Sequence, residues 1–129
     1  MQGRLKGMPR ATRNERYEQE ALIRWARLMA GRDKRLARLF HVPNGGWRHP
    51  ATALAMQRAG VVRGVPDLLL PVPSQGYVGL AIEMKSEKGR LSPEQKDWLG
   101  YLESVGWSTA VCRSFEEAKH VIEQYLEIR

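Results

Sequence analysis

The stretch Tyr77–Lys85, YVGLAIEMK, restricts the chain more than any other. Side chains along a strand alternate between faces. The spacing therefore sends Val78, Leu80, Ile82 and Met84 one way, into a core. Tyr77, Gly79, Ala81, Glu83 and Lys85 point the other way. That second face is shallow at Gly79 and Ala81 and ends in a carboxylate beside an ammonium, so it is a place where a large ligand could approach. The run PDLLLPVPS before it reads as another strand, kept short by Pro71 and Pro73, with Gly76 in the turn between the two. If they pair as an antiparallel hairpin, Asp67 falls near Glu83, at the end away from the turn. Two carboxylates brought together repel and raise a pKa unless a cation sits between them. A divalent ion is the natural cation, and Mg²⁺ suits hard oxygen ligands.

The remaining pattern is helical and strand-like in alternation. NERYEQEALIRWARLMAG predicts a first helix, with Asn14 as N-cap, Gly31 as stop, and Leu22, Trp25 and Met29 as the apolar stripe. RLFHVP predicts a short strand ended by the turn PNGG, and HPATALAMQRAG a second helix. SPEQKDWLGYLESVG predicts a third helix with Ser92 as N-cap, STAVCR a last strand, and SFEEAKHVIEQYLEI a last helix with Ser114 and Glu117 as a capping box. This order predicts one α/β domain around a small mixed sheet. Residues 1–13 read as a flexible basic arm and residues 14–129 as the folded domain.

Charge narrows the partner. Lys and Arg number 21 against 14 Asp and Glu, a formal net charge of +7. That surplus favours a polyanion, nucleic acid before an anionic membrane surface. No apolar run is long enough to span a bilayer, and no signal-peptide core is present, so no membrane association is expected. The single cysteine, Cys112, has no internal partner and reads as a buried small hydrophobe. A reducing, cytoplasmic location is expected. Arg48 and Arg63 flank the second helix, and Lys88 and Arg90 follow Glu83 and Lys85. Each is either a phosphate contact or part of a solvated charged surface. Asn44 sits in the PNGG turn, where it could contact DNA or simply serve the turn. His41 and His49 lack a further His or Cys to complete a zinc site, and His41 reads as structural or as a group at the site's edge. Trp25, Trp98 and Trp107 read as core or interface rather than as platforms for bases. On these features alone, a basic, non-catalytic nucleic-acid-binding protein is the rival reading.

Asp67, a spacer and then Glu83-x-Lys85, with Pro66 before the Asp, resembles the PD-(D/E)xK nucleases. The likeness widens over HVPNGGWRHPATALAMQRAGVVRGVPDLLL, GLAIEMKSEKGRLSPEQKDW and VCRSFEEA, which together resemble the VRR-NUC family in its small, stand-alone, phage-like form. One departure stands out: Val62-Arg63 is followed by Gly64, where the Val-Arg-Arg signature has a second arginine.

The resemblance implies a restriction-endonuclease-like core and hydrolysis of DNA phosphodiesters with Mg²⁺, Mn²⁺ being able to substitute. It implies Asp67 and Glu83 as metal ligands, with the Met84 backbone carbonyl as a further one. It also implies an acid on the first helix followed four residues later by Gln. That pair falls on Glu15 and Gln19, with Glu18 on the same stripe as the alternative. Lys85 would orient the attacking water or stabilise developing charge, leaving a 5′-phosphate and a 3′-hydroxyl. Gln95 is a candidate near the lysine, although a capping box with Ser92 explains it equally. A symmetric homodimer acting on branched DNA such as a four-way junction is expected, in a bacterial or phage-infected cell. Flap DNA and RNA remain alternative substrates.

Overall fold

The structure is a computed structural model that describes residues 10–43 and 49–129. Its elements run α1 (Arg10–Met29), a 3₁₀ turn (Lys34–Arg38), β1 (Phe40–His41), α2 (Pro50–Arg58), β2 (Leu68–Leu70), β3 (Leu80–Met84), α3 (Pro93–Ser104), β4 (Ser108–Cys112) and α4 (Phe115–Leu126). The helices and strands follow the predicted order, and the 3₁₀ turn is the added piece. Asp33 initiates that turn by accepting from the Arg35 N–H at 3.0 Å.

One four-stranded sheet has the spatial order β1-β2-β3-β4. β1 and β2 pair antiparallel, as do β2 and β3, while β3 and β4 are parallel, so the sheet is mixed. The parallel step follows from α3, which carries the chain back to the same end of the sheet. Leu80, Ile82 and Met84 face a core shared with Leu22 and Ala26 of α1 and Ala118 and Ile122 of α4. Full burial of one leucine or isoleucine is worth about 1.5–3 kcal/mol, so this layer is the main source of stability. Ala81 and Leu99 are buried as well but lie outside that core, on the α3 side of the sheet.

Four details differ from the sequence reading. The helix extends back to Arg10, so Asn14 lies within α1 rather than capping it. Residues 10–13 of the expected basic arm thus belong to a helix, and residues 1–9 lie outside the described residues. β3 begins only at Leu80, and Val78 is 51% exposed instead of core-facing. A Ser74–Tyr77 bridge closes the turn early, and Val78 donates its N–H to the Gly106 carbonyl instead of to β2. Finally, the shallow face of β3 is not open: the Trp107 indole lies against Gly79, and Ala81 is buried. Packing from α3 and Trp107 closes this face as far as Glu83, and partial exposure returns only at Lys85, just past the carboxyl end of β3.

Candidate active site at the end of the central strands

The β2–β3 register pairs Leu68 with Ile82. One step further along the same ladder, Asp67 comes opposite Glu83, as the hairpin argument requires. Asp67 is fixed there from both ends. Its Oδ2 accepts from the Met84 N–H at 2.9 Å. Its backbone carbonyl accepts from the Val42 N–H at 2.7 Å and lies 2.9 Å from His41 Nδ1. A carbonyl only accepts, so that contact makes Nδ1 the protonated nitrogen of His41. Along a strand the N–H and C=O of one residue face the same neighbour, which puts the Met84 carbonyl on the Asp67 side too.

Glu83 is 2% exposed. Gln95 Nε2 donates to its Oε2 at 3.1 Å, whereas its Oε1 is buried with no hydrogen-bond partner. Asp67 stands within reach but can offer no donor while both acids are ionised. Burial, then the Asp67 charge and a proton shared with it, push the Glu83 carboxyl up to about 9, against the opposing pull of Lys85. A buried carboxylate with an orphaned oxygen beside a second carboxylate is a site short of positive charge.

Glu15 lies at the rim of the same group. Its Oε2 accepts from the Ser86 N–H at 3.3 Å. Burial raises its pKa, the Ser86 bond and Lys85 lower it, and Asp67 raises it. Glu18 is directed elsewhere, since its Oε1 accepts from the Phe115 N–H at the start of α4. Of the two helix acids, the structure therefore brings Glu15 to the group and commits Glu18 to capping.

Among the described residues, no three acids, histidines or cysteines form a ready-made metal cage. Asp67 and Glu83 make a two-carboxylate pair, with Glu15 held back by Ser86. This donor set still fits Mg²⁺, which keeps several waters and commonly takes only one or two carboxylates. The orphaned Glu83 Oε1 is the oxygen such an ion would satisfy.

Ser92 and Gln95 do form the capping box of α3, with bonds of 3.1 and 2.8 Å. The two readings of Gln95 are therefore compatible: Oε1 serves the cap and Nε2 serves Glu83. Lys88 and Arg90 are exposed on the loop between Lys85 and α3, and Arg63 is exposed on the turn before β2. Asn44 and Arg48 lie outside the described residues. Gly64 accounts for the departure from Val-Arg-Arg. Its φ is +90°, and a Cβ there would come within 2.6 Å of the Glu94 carbonyl carbon, so a second arginine cannot occupy this backbone without moving α3.

Two contacts escaped the sequence reading. One is His41 with the Asp67 carbonyl. The other is Arg113, whose guanidinium reaches the loop after Lys85. Both contacts join elements far apart in the chain, so the local sequence around His41 or Arg113 hints at neither partner. Among the described residues, no helix is long and apolar enough to cross a membrane.

The VRR-NUC domain model matches residues 4–116. The chain is 43% identical over 53 residues to the Fanconi-associated nuclease 1 homolog of Arabidopsis thaliana, a match that spans 39% of this chain and only 6% of that protein. A solved VRR_NUC domain protein shares the fold with a TM-score of 0.73 at 26% identity, over 88% of each chain. The architecture is restriction-endonuclease-like, and the chain belongs to the VRR-NUC family of nuclease domains.

Proposed function

We propose that this protein is a Mg²⁺-dependent, structure-specific DNA endonuclease, with Mn²⁺ able to replace Mg²⁺. The observation that carries the reading is the pairing of Asp67 with a buried Glu83 whose Oε1 has no partner, next to Lys85. Asp67, Glu83 and the Met84 carbonyl would hold the ion, with Glu15 bonded directly or through a water. When bound, Mg²⁺ polarises a phosphodiester and lowers the pKa of a water molecule.

The chain's own residues do the rest. Met84 N–H orients the Asp67 carboxylate, and Gln95 orients that of Glu83. Burial of Glu83 excludes bulk water from one side of the site. Lys85 supplies a positive charge that orients the attacking water or stabilises the charge developing on the phosphate. In-line attack leaves a 5′-phosphate and a 3′-hydroxyl. Arg63, Lys88 and Arg90 contribute phosphate contacts, as do Asn44 and Arg48.

The Arabidopsis relative bears the name of a nuclease, which supports the same chemistry here. No stretch of the sequence resembles a helix-turn-helix or RNA-recognition signature. Specificity is then taken from DNA shape, and a two-fold homodimer matches the paired strands of a four-way junction. Light scattering over a range of concentrations, with cleavage of four-way junctions, flaps, linear duplex and RNA compared side by side, tests this. A dimer with fastest cleavage of the junction is expected. A monomer that cuts linear duplex or RNA at the junction's rate would overturn the dimer and the substrate preference together. The surplus of basic residues also predicts DNA affinity that drops steeply with salt, through counterion release.

A further inference from the structure

Arg113 follows β4 directly, and its side chain does not project into solvent alone. Nη1 donates to the Ser86 carbonyl at 2.7 Å and to the Gly89 carbonyl at 2.7 Å, with the Glu87 carbonyl at 3.4 Å. One guanidinium thus gathers three carbonyls of a single tight turn. The turn is closed by its own bond from the Gly89 N–H to the Ser86 carbonyl at 3.1 Å. The turn packs tightly on itself: a Cβ at Gly89 would sit 2.9 Å from Ser86 Oγ, so a larger residue there would have to shift that hydroxyl.

The turn is anchored on its other sides as well. Glu15 accepts from the Ser86 N–H, and the Ser92–Gln95 box fixes the far end of the loop while Gln95 holds Glu83. Inside the bracketed segment lie Lys88 and Arg90, both exposed, and immediately before it lies Lys85. A loop with this density of backbone anchors loses little freedom when a ligand binds it, and preorganisation of that kind strengthens binding.

We propose that Arg113 is a positioning residue for DNA: it sets the shape of the Ser86–Arg90 turn and through it aims Lys88 and Arg90 at the phosphodiester backbone. This rests on the nuclease reading above. Nη1 of Arg113 is committed to carbonyls, and the role assigned to the guanidinium is to hold the turn rather than to bind phosphate.

The test is a double-mutant cycle. Affinity for a labelled four-way junction is measured with Ca²⁺ in place of Mg²⁺, for wild type, Arg113→Ala, Lys88→Ala/Arg90→Ala and the combined variant. Arg113→Ala is expected to weaken binding about tenfold and to flatten the dependence of log K on log salt, each lost phosphate contact removing about 0.9 from the slope. In the Lys88→Ala/Arg90→Ala background the same change should cost less than about twofold, since what it positions is gone. With Mg²⁺, KM should rise while kcat stays nearly constant. Arg113→Lys, which keeps a donor, should recover part of the affinity and covers the case in which the alanine variant folds poorly.

Full additivity in the cycle would show that Arg113 contacts phosphate directly, and unchanged binding in Arg113→Ala would show that the turn needs no clamp. Either result overturns the proposal. If the wild type binds no DNA at all, the nuclease reading fails instead. Amide exchange then still isolates the clamp: selective loss of protection over residues 86–90 in Arg113→Ala shows the clamp without its ligand, and unchanged protection removes it.

Discussion

Gln95 Nε2 donates to Glu83 Oε2 across 3.1 Å, joining the first turn of α3 to the buried acid of β3. The same side chain completes the helix cap through Oε1. One substitution can separate the two roles. Gln95→Glu keeps an oxygen for the Ser92 N–H but removes the donor and sets a second carboxylate against Glu83. It is expected to melt near wild type while cleaving at least about tenfold more slowly, the scale of a lost hydrogen bond to a charged group. Gln95→Ala should lose both, with about 1 kcal/mol of stability from the cap. Thermal melts beside plasmid-nicking rates check this. Normal cleavage by Gln95→Glu would reduce Gln95 to a helix cap.

Glu83 carries a pH signature. Its carboxyl stands raised from the ordinary 4.5 to about 9. Below pH 4.5 the folded and unfolded chains both hold this proton. Between 4.5 and 9 only the folded chain holds it, so the unfolded state binds fewer protons and stability falls as pH rises through that window. In metal-free buffer, Glu83→Gln should therefore be more stable than wild type at pH 8, with the gap shrinking toward pH 5. Denaturation profiles that run parallel across this range would contradict the assignment. Wild-type metal binding should release a proton in the same window and tighten as pH rises, which calorimetry in buffers of different ionisation enthalpy measures.

Glu15 and Glu18 sit on one helix and should fail differently when changed. Glu18 caps α4 at Phe115, so Glu18→Ala should cost about 1 kcal/mol of stability and leave cleavage intact. Glu15 lies beside Lys85 and Asp67. Glu15→Gln should hold its melting temperature and lose most activity. Urea denaturation paired with initial cleavage rates distinguishes them, and the reverse pattern would exchange their roles.

Much of this architecture is legible in the chain because it is written within single elements. The alternation of Leu80, Ile82 and Met84 gives a core face, and one hairpin suffices to bring Asp67 to Glu83. What crosses between elements is not written in any one of them. Val78 has the right spacing for the core yet lies outside it, since the Ser74–Tyr77 bridge ends the hairpin early. The shallow surface at Gly79 and Ala81 reads as open until Trp107, the residue just before β4, is laid upon it. Helical spacing puts Glu15 and Glu18 on one stripe, and only the docking of α4 separates a site acid from a cap. Ser114 and Glu117 look like a capping box, but the Glu117 carboxylate accepts from Arg113 N–H at 2.6 Å while Ser114 Oγ alone caps in the expected way.

Asp67 and Glu83, with Lys85 beside them, are proposed as a metal-dependent phosphodiesterase centre. Cleavage of a four-way junction by Asp67→Ala, Glu83→Ala and Lys85→Ala at matched folding, with metal-free DNA affinity recorded for each, tests that centre. Cleavage is expected to fall by several orders of magnitude in all three. The two acid-to-alanine variants should bind DNA as tightly as wild type or more so, because a negative charge near phosphate has gone. Wild-type cleavage by Asp67→Ala or Glu83→Ala, or undiminished wild-type cleavage in excess EDTA, would contradict that assignment.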